Sequence, residues 1–216
     1  MSEKQIDELI VKVAKVKLYP YGILQKEDSL TFIDDNKWFL TIIKFAHNPL
    51  KKIVSSSIGL NFLWYTKKNF TMDFLKEETN ITYIDSDDLY ANIYSLMQTA
   101  LDKTISFRKF RDLFYAKEQI LQAKYNTWKY NYYKMIVCFL CEDYDKGVEF
   151  FKLFSENIGL GSEDKQFIEE QKEKFETLLK NNDKYKVKNI VHDYIFKNIK
   201  DQRIFYNQNH LNNLAI

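Results

Sequence analysis

Cys138 and Cys141 stand in a C-x2-C spacing, the arrangement used by zinc sites and by thioredoxin-like redox centres. A zinc site needs four ligands, and the chain offers no second cysteine pair and no paired histidines. The pair also lies inside the apolar run Met135–Cys141, so the spacing reads as buried free thiols acting as small hydrophobes. His47, His192 and His210 have no mutual spacing suited to metal ligation. His47 follows an apolar run in His47-Asn48-Pro49 and is expected at an exposed sheet end. Ser55 or Ser57 with His47 and an aspartate would be the raw material of acyl transfer, but no G-x-S-x-G elbow presents a serine. Asp85, Asp87 and Asp88 could collect a cation; counting Asp85 as position one, position twelve, where an EF-hand loop needs Glu, is Leu96, so helix capping is the better reading. Gly159-Leu160-Gly161-Ser162 precedes a helical pattern but continues into Glu163-Asp164, which repel phosphate, and reads as a helix–helix turn. No cofactor and no catalytic or metal-ligating set is assigned.

Binding residues are read from charge and aromaticity. Arg108 and Arg111, three apart, face one side of a helix beside Lys109, where they would meet an acidic partner or pair with Asp112. Tyr19, Tyr21, Trp38, Trp64 and Tyr65 lie on or beside predicted strands. Core packing is the default for them, yet Trp64-Tyr65 at a strand end is the first place to look for contact, since aromatics concentrate at interaction hot spots. Trp64, Tyr65, Tyr21, His47, Arg108 and Arg111 are therefore the candidate partner-binding residues.

The elements that must position these residues follow from periodicity. Ile6, Leu9, Ile10, Val13 and Val16 recur at helical steps over Ser2–Leu18, and Pro20 with Gly22 ends that helix. The period then drops to two. Predicted strands are Gly22–Lys26, Ser29–Ile33, Trp38–Ala46 and Ile53–Tyr65, with Asp34-Asp35-Asn36 as a hairpin turn and an edge strand at Phe70–Phe74. Connections this short specify an antiparallel meander. From Glu77 onward the pattern is helical: a helix capped by Asp85 burying Leu89, Ile93, Leu96, Met97, Ala100 and Leu101; one capped by Ser106 with Phe107, Phe110, Leu113 and Phe114; the pair Tyr125–Leu140 and Asp145–Phe154; one opened by Ser162; and Lys186–Lys200. The Asn-rich tail Gln202–Ile216 is expected to fray.

The fold class is α+β: an N-terminal helix, a meander of four or five strands and a C-terminal helical bundle. A soft boundary falls near residue 85, giving 1–85 as helix plus sheet and 86–216 as a bundle packed on it.

Composition excludes more than it assigns. Five glycines, each with a structural reading, leave none for a phosphate-cradling loop. The 32 bases and 30 acids are spread evenly, with only three arginines and no basic arm, which argues against nucleic acid. A nucleic-acid reading would need Lys12, Lys15, Lys17, Lys51, Lys52, Lys67 and Lys68 on one surface. Abundant Tyr, Phe and Lys beside scarce Arg, Gly and Pro carries the signature of AT-rich codons, so totals say less than positions. The charged start lacks the apolar core of a secretory signal, no stretch approaches a membrane span, and two unpaired cysteines suit a reducing compartment; a cytoplasmic location is expected.

Two stretches resemble known families. Asp143-Tyr144-Asp145-Lys146-Gly147-Val148-Glu149-Phe150-Phe151 resembles the turn and second helix of a tetratricopeptide repeat, with Gly147 in place of the usual Ala and Lys134-Met135 in place of the Leu-Gly pair. It stands as one helix hairpin near residues 125–157, without a second copy. Residues 5–75 are similar to a group of bacterial domains of unknown function, the DUF4304-like group. The likeness is carried by Tyr21-Gly22-Ile23-Leu24-Gln25-Lys26, Leu30-Thr31-Phe32, Trp38-Phe39-Leu40-Thr41-Ile42-Ile43 and Ser57-Ile58-Gly59-Leu60-Asn61-Phe62. That resemblance implies an α+β fold and transfers no catalytic residue. The function expected is that of a non-catalytic protein-binding or regulatory protein of a bacterial cytoplasm, immunity-type proteins being one example, with another protein as partner. The alternative is an enzyme or small-ligand protein with a cleft between sheet and helices.

Overall fold

A computed structural model describes residues 1–65, 71–125, 127–156 and 165–201. It has the expected α+β architecture: an N-terminal helix, a five-stranded antiparallel sheet and C-terminal helices. The predicted Gly159–Ser162 turn, the Ser162 cap, His210 and the tail lie outside the described residues.

The chain divides into two compact units, Met1–Arg108 with the last turns of the final helix from Ile195, and Lys109–Tyr194. In the first, α1 (Glu3–Leu18) opens with a capping box in which Ser2 and Gln5 satisfy each other's backbone N–H groups. Five strands follow: β1 (Leu24–Gln25), β2 (Thr31–Asp35), β3 (Phe39–Asn48), β4 (Ile53–Phe62) and β5 (Phe74–Thr82), paired in chain order as an antiparallel meander. α2 (Ser86–Phe107) then returns across the sheet, its first N–H groups capped by Asp85 as the sequence predicts. All six apolar residues predicted for its inner face are buried. Because α2 packs on α1, β3, β4 and β5, the first unit runs on past residue 85, where the sequence sets its soft boundary.

Three local expectations change. The hairpin turn moves to Asn36–Trp38, because Asp34 and Asp35 are strand residues paired with Thr41 and Leu40. The edge strand is β5 at Phe74–Thr82; of the predicted Phe70–Phe74 strand, Phe70 lies outside the described residues and residues 71–73 are not strand. One face of β5 is exposed and a bulge opposite Gly59 interrupts its register, so no clean period-two signal survives. Gly59 is required there: a Cβ would stand 2.8 Å from Met72 Cβ, where the Thr71–Asp73 segment crosses the sheet. Ser106 does not cap a new helix but sits in the last turn of α2; Asp112 caps α3 instead.

In the second unit, α3 (Leu113–Gln122), α4 (Trp128–Leu140), α5 (Tyr144–Glu156), α6 (Lys165–Lys180) and the first turns of α7 (Val187–Asp201) surround a core that includes Tyr132, Phe139, Phe154 and Phe175. α4 and α5 form the closest pair, the hairpin likened to a tetratricopeptide unit. A Cβ on Gly147 would meet three ring atoms of Phe139 at 3.0 Å, which gives glycine a packing reason here. Phe114, predicted inward, is solvent-exposed.

Candidate interaction surface

The sheet face carrying Phe32, Asp34, Thr41, Ile43, Phe45, His47, Val54, Ser56, Ile58 and Leu60 is the one covered by helices, since His47 meets Asp7 of α1 and Asp34 meets Arg108 at the end of α2. Apart from His47, which is 8% exposed, these residues are all fully or nearly fully buried. Among the described residues, side chains fill this face between the sheet and its helices.

Trp64 and Tyr65, the first choice for partner contact, are 0% and 2% exposed. Trp64 stacks on Trp38 at 4.8 Å and 10°, and on Phe62 at 4.9 Å. The carbonyls of Leu63 and Tyr65 accept from Asn198 Nδ2 in the last turns of α7. Trp64 and Tyr65 thus follow the default of core packing, and the partner contact looked for at this strand end is corrected. A strand end that closes a stack of three rings is core, since leaving such surface in water costs more than any contact it could offer in waiting.

His47 is likewise buried rather than exposed: its Nε2 lies 2.9 Å from Asp7 Oδ1. Ser55 and Ser57 point to the opposite face, because neighbours along a strand alternate. Ser56 shares the histidine's face, but at 1% exposure no substrate reaches it. His47 Nδ1 and Ser56 Oγ are both buried without a hydrogen-bond partner among the described residues.

Arg108 does not present its fork to solvent. Its Nε and one Nη hold the two oxygens of buried Asp34 at 3.0 and 2.8 Å, and the same Nη donates to the Tyr21 carbonyl at 2.6 Å. Asn36 Nδ2 donates to Asp34 Oδ2, the oxygen that also accepts from Arg108 Nε, and to the Asp34 carbonyl. The cluster is a clamp tying the end of α2 to β2 and to the turn after α1, and the carboxylate beside it holds the Arg108 guanidinium above its ordinary value. Arg111, in the second unit, is exposed. Of the six candidates, Tyr21 and Arg111 remain on the surface.

Burial pushes the Cys138 thiol up to about 11 and raises Cys141 as well, while Cys141 Sγ lies 3.5 Å from the Leu113 carbonyl. Both are held as thiols at neutral pH, poor nucleophiles and poor ligands. Among the described residues no group of three or more His, Cys, Asp or Glu is placed to hold a metal. An open groove of about 620 Å³ beside α1 is lined by Lys4, Asp7, Glu8, Lys12 and Asp28, a mixture of both signs. No helix among the described residues is long and apolar enough to cross a membrane.

The surface that sequence reasoning missed lies on the outer side of the two helices. Tyr90 and Tyr94, one turn apart on α2, are 52% and 46% exposed, with Ala91 and Ser95 beside them. Lys17 of α1 reaches across, its Nζ 3.9 Å from the centre of the Tyr94 ring and 3.1 Å from Gln98 Oε1. Val16, Tyr19 and Tyr21, on α1 and its terminal turn, are also exposed. Residues 89–101 of α2 contain no charged side chain, in a chain that is 29% charged. That gap was the available signal: a helix with uncharged residues on its outer as well as its inner face has a second face to cover.

No family model matches the chain, and neither does any curated protein or solved structure.

Proposed function

We propose that this chain is a non-catalytic protein-binding or regulatory protein, in keeping with the DUF4304-like resemblance of residues 5–75 and with a bacterial cytoplasmic, immunity-type role. The observation that carries the reading is the uncharged, tyrosine-bearing outer face of α2, with Lys17 of α1 over the Tyr94 ring. Charge depletion at the centre with aromatics and a polar rim is the composition of a protein-contact surface. The rival reading, an enzyme with a cleft between sheet and helices, fits poorly with a sheet face filled by side chains and with Ser56 sealed beneath it.

The test is capture from the source cells with the purified chain as bait, comparing wild type with Tyr90→Ala/Tyr94→Ala. A protein retained by wild type and lost from the variant, with circular dichroism unchanged, supports the reading. A protein retained equally by both removes this surface from it.

A further inference from the structure

We infer that the groove beside α1 binds a short peptide with free ends, its ammonium at one end of the groove and its carboxylate at the other. The groove, of about 620 Å³, runs between α1 and the β1–β2 hairpin, and the charges that line it are segregated by sign. On α1, Lys12 and Lys15 follow Asp7 by five and eight residues, about 7 and 12 Å along the helix axis. Glu8 pairs with Lys4 at 3.9 Å, so these two offset each other at the Asp7 end. On the facing wall Asp28 lies in the β1–β2 turn. The Leu30 carbonyl accepts from the Phe45 N–H at 2.9 Å, two residues before His47, which sets that turn toward the end where Asp7 meets His47. Lys15, 6.0 Å from the Tyr19 ring, belongs to the other end. Among the described residues Asp28, Lys12 and Lys15 have no ion-pair partner. Val11, four residues from both Asp7 and Lys15, and Leu30 opposite give the groove a half-buried apolar middle.

Asp7 is held in place from beneath. The His47 side chain is 8% exposed, its Nε2 lies 2.9 Å from Asp7 Oδ1, and its Nδ1 has no hydrogen-bond partner among the described residues. The ring therefore fixes one oxygen of a half-exposed carboxylate and leaves the other for a ligand ammonium. An ammonium and a carboxylate about 7 to 12 Å apart are the ends of an extended peptide of about three residues; a free amino acid is too short to reach both. The Gln25 amide donates to the Ser29 carbonyl at 2.8 Å and keeps its oxygen as an acceptor for a peptide N–H. The groove shares no residue with the Tyr90–Tyr94 face, so the two are tested independently.

The experiment titrates the full chain calorimetrically with alanyl-leucyl-alanine, its N-acetylated and C-amidated forms, free leucine, and an ω-amino acid of matching length. The free tripeptide is expected to bind about fivefold more tightly than either blocked form or leucine at low salt, exposed ion pairs being modest, and the margin should shrink as salt rises. Asp7→Asn should abolish the cost of N-acetylation and leave that of C-amidation, and Lys12→Gln/Lys15→Gln should do the reverse. Asp28→Asn, in an exposed turn away from the histidine, should reduce the cost of N-acetylation in a fold that is not in question. His47→Leu should narrow the gap between free and N-acetylated peptide, and His47→Gln, which keeps a donor beside Asp7, should restore it; a loss of packing alone would leave that gap unchanged. No binding of the free tripeptide, a cost below about twofold for blocking either end, or variants that weaken every peptide alike overturns the inference. The ω-amino acid is expected to bind more weakly than the tripeptide; equal or tighter binding overturns the peptide assignment.

Discussion

The aromatic residues of the first unit fall into two populations. Trp38, Phe62 and Trp64 form a closed stack at the end of the sheet, with ring centres 4.8 to 5.8 Å apart and almost no solvent exposure. Tyr90 and Tyr94 stand on α2 with about half of each residue in water. Both sets are aromatic, so residue type does not separate them. What separates them is whether the element that carries them has its second face covered. A strand inside a meander is covered by neighbours that the chain supplies. Over the outer face of α2, Lys17 of α1 reaches across the edge to Tyr94, and both tyrosines stay about half exposed.

That contrast can be broken most severely from the buried side. Trp64→Ala should destabilise the fold by about 3–5 kcal/mol, the range for removing a large ring from a core, read by chemical denaturation. A loss below about 1 kcal/mol would mean that the stack is not core. Arg108→Met comes next. It leaves the Asp34 carboxylate buried with its chief partner gone, and the expected loss is about 3 kcal/mol, at the lower end for such pairs because Arg108 is partly exposed. Adding Asp34→Leu should recover part of it. Gly147→Ala sets a methyl against the buried Phe139 ring; overpacking of about 1–3 kcal/mol outweighs the helix-propensity gain of about 1, for a net loss near 1 kcal/mol. Tyr90→Ala and Tyr94→Ala should each stay within about 0.5 kcal/mol of wild type, since exposed positions contribute little to stability.

The smallest effect is a pH dependence. The Lys117 ammonium, hydrogen-bonded to Asp143 at 2.6 Å, holds that carboxyl below the usual carboxylate range and raises its own value. A depressed carboxylate contributes stability at pH above its unfolded value of about 4, and the contribution fades as pH falls through the lower folded value. Denaturation midpoints of wild type and Asp143→Asn should therefore converge between about pH 4 and pH 2. A gap that persists unchanged to pH 2 would show that the pair does not act through charge.

Much of the fold is legible in the sequence, and the reasons are local. The capped start of α2, its six inward residues and the alternation over Ile53–Phe62 each follow from a periodicity that one covered face imposes. β5 escapes because an edge strand with a bulge and one wet face needs no alternation. Asp34 reads as a turn residue because a carboxylate in a strand has no local signature; its partner Arg108 lies 74 residues away. His47 and Trp64 fail as surface candidates for the same reason. Burial is decided by α1 and by neighbouring rings, and nothing adjacent in sequence announces either. The tyrosine face was legible as a charge gap in residues 89–101, but the gap has meaning only once the inner face of α2 is known to be filled by the other residues.

The central claim is that the covered aromatics build the core and the uncovered ones make contact. Site-specific photo-crosslinking in the source cells tests it most directly, with a benzoylphenylalanine placed at position 94 in one variant and at position 57, on the opposite face of the sheet, in another. The expected result is a discrete protein adduct from position 94 and none from position 57. An adduct from position 57 with none from position 94 would contradict the account.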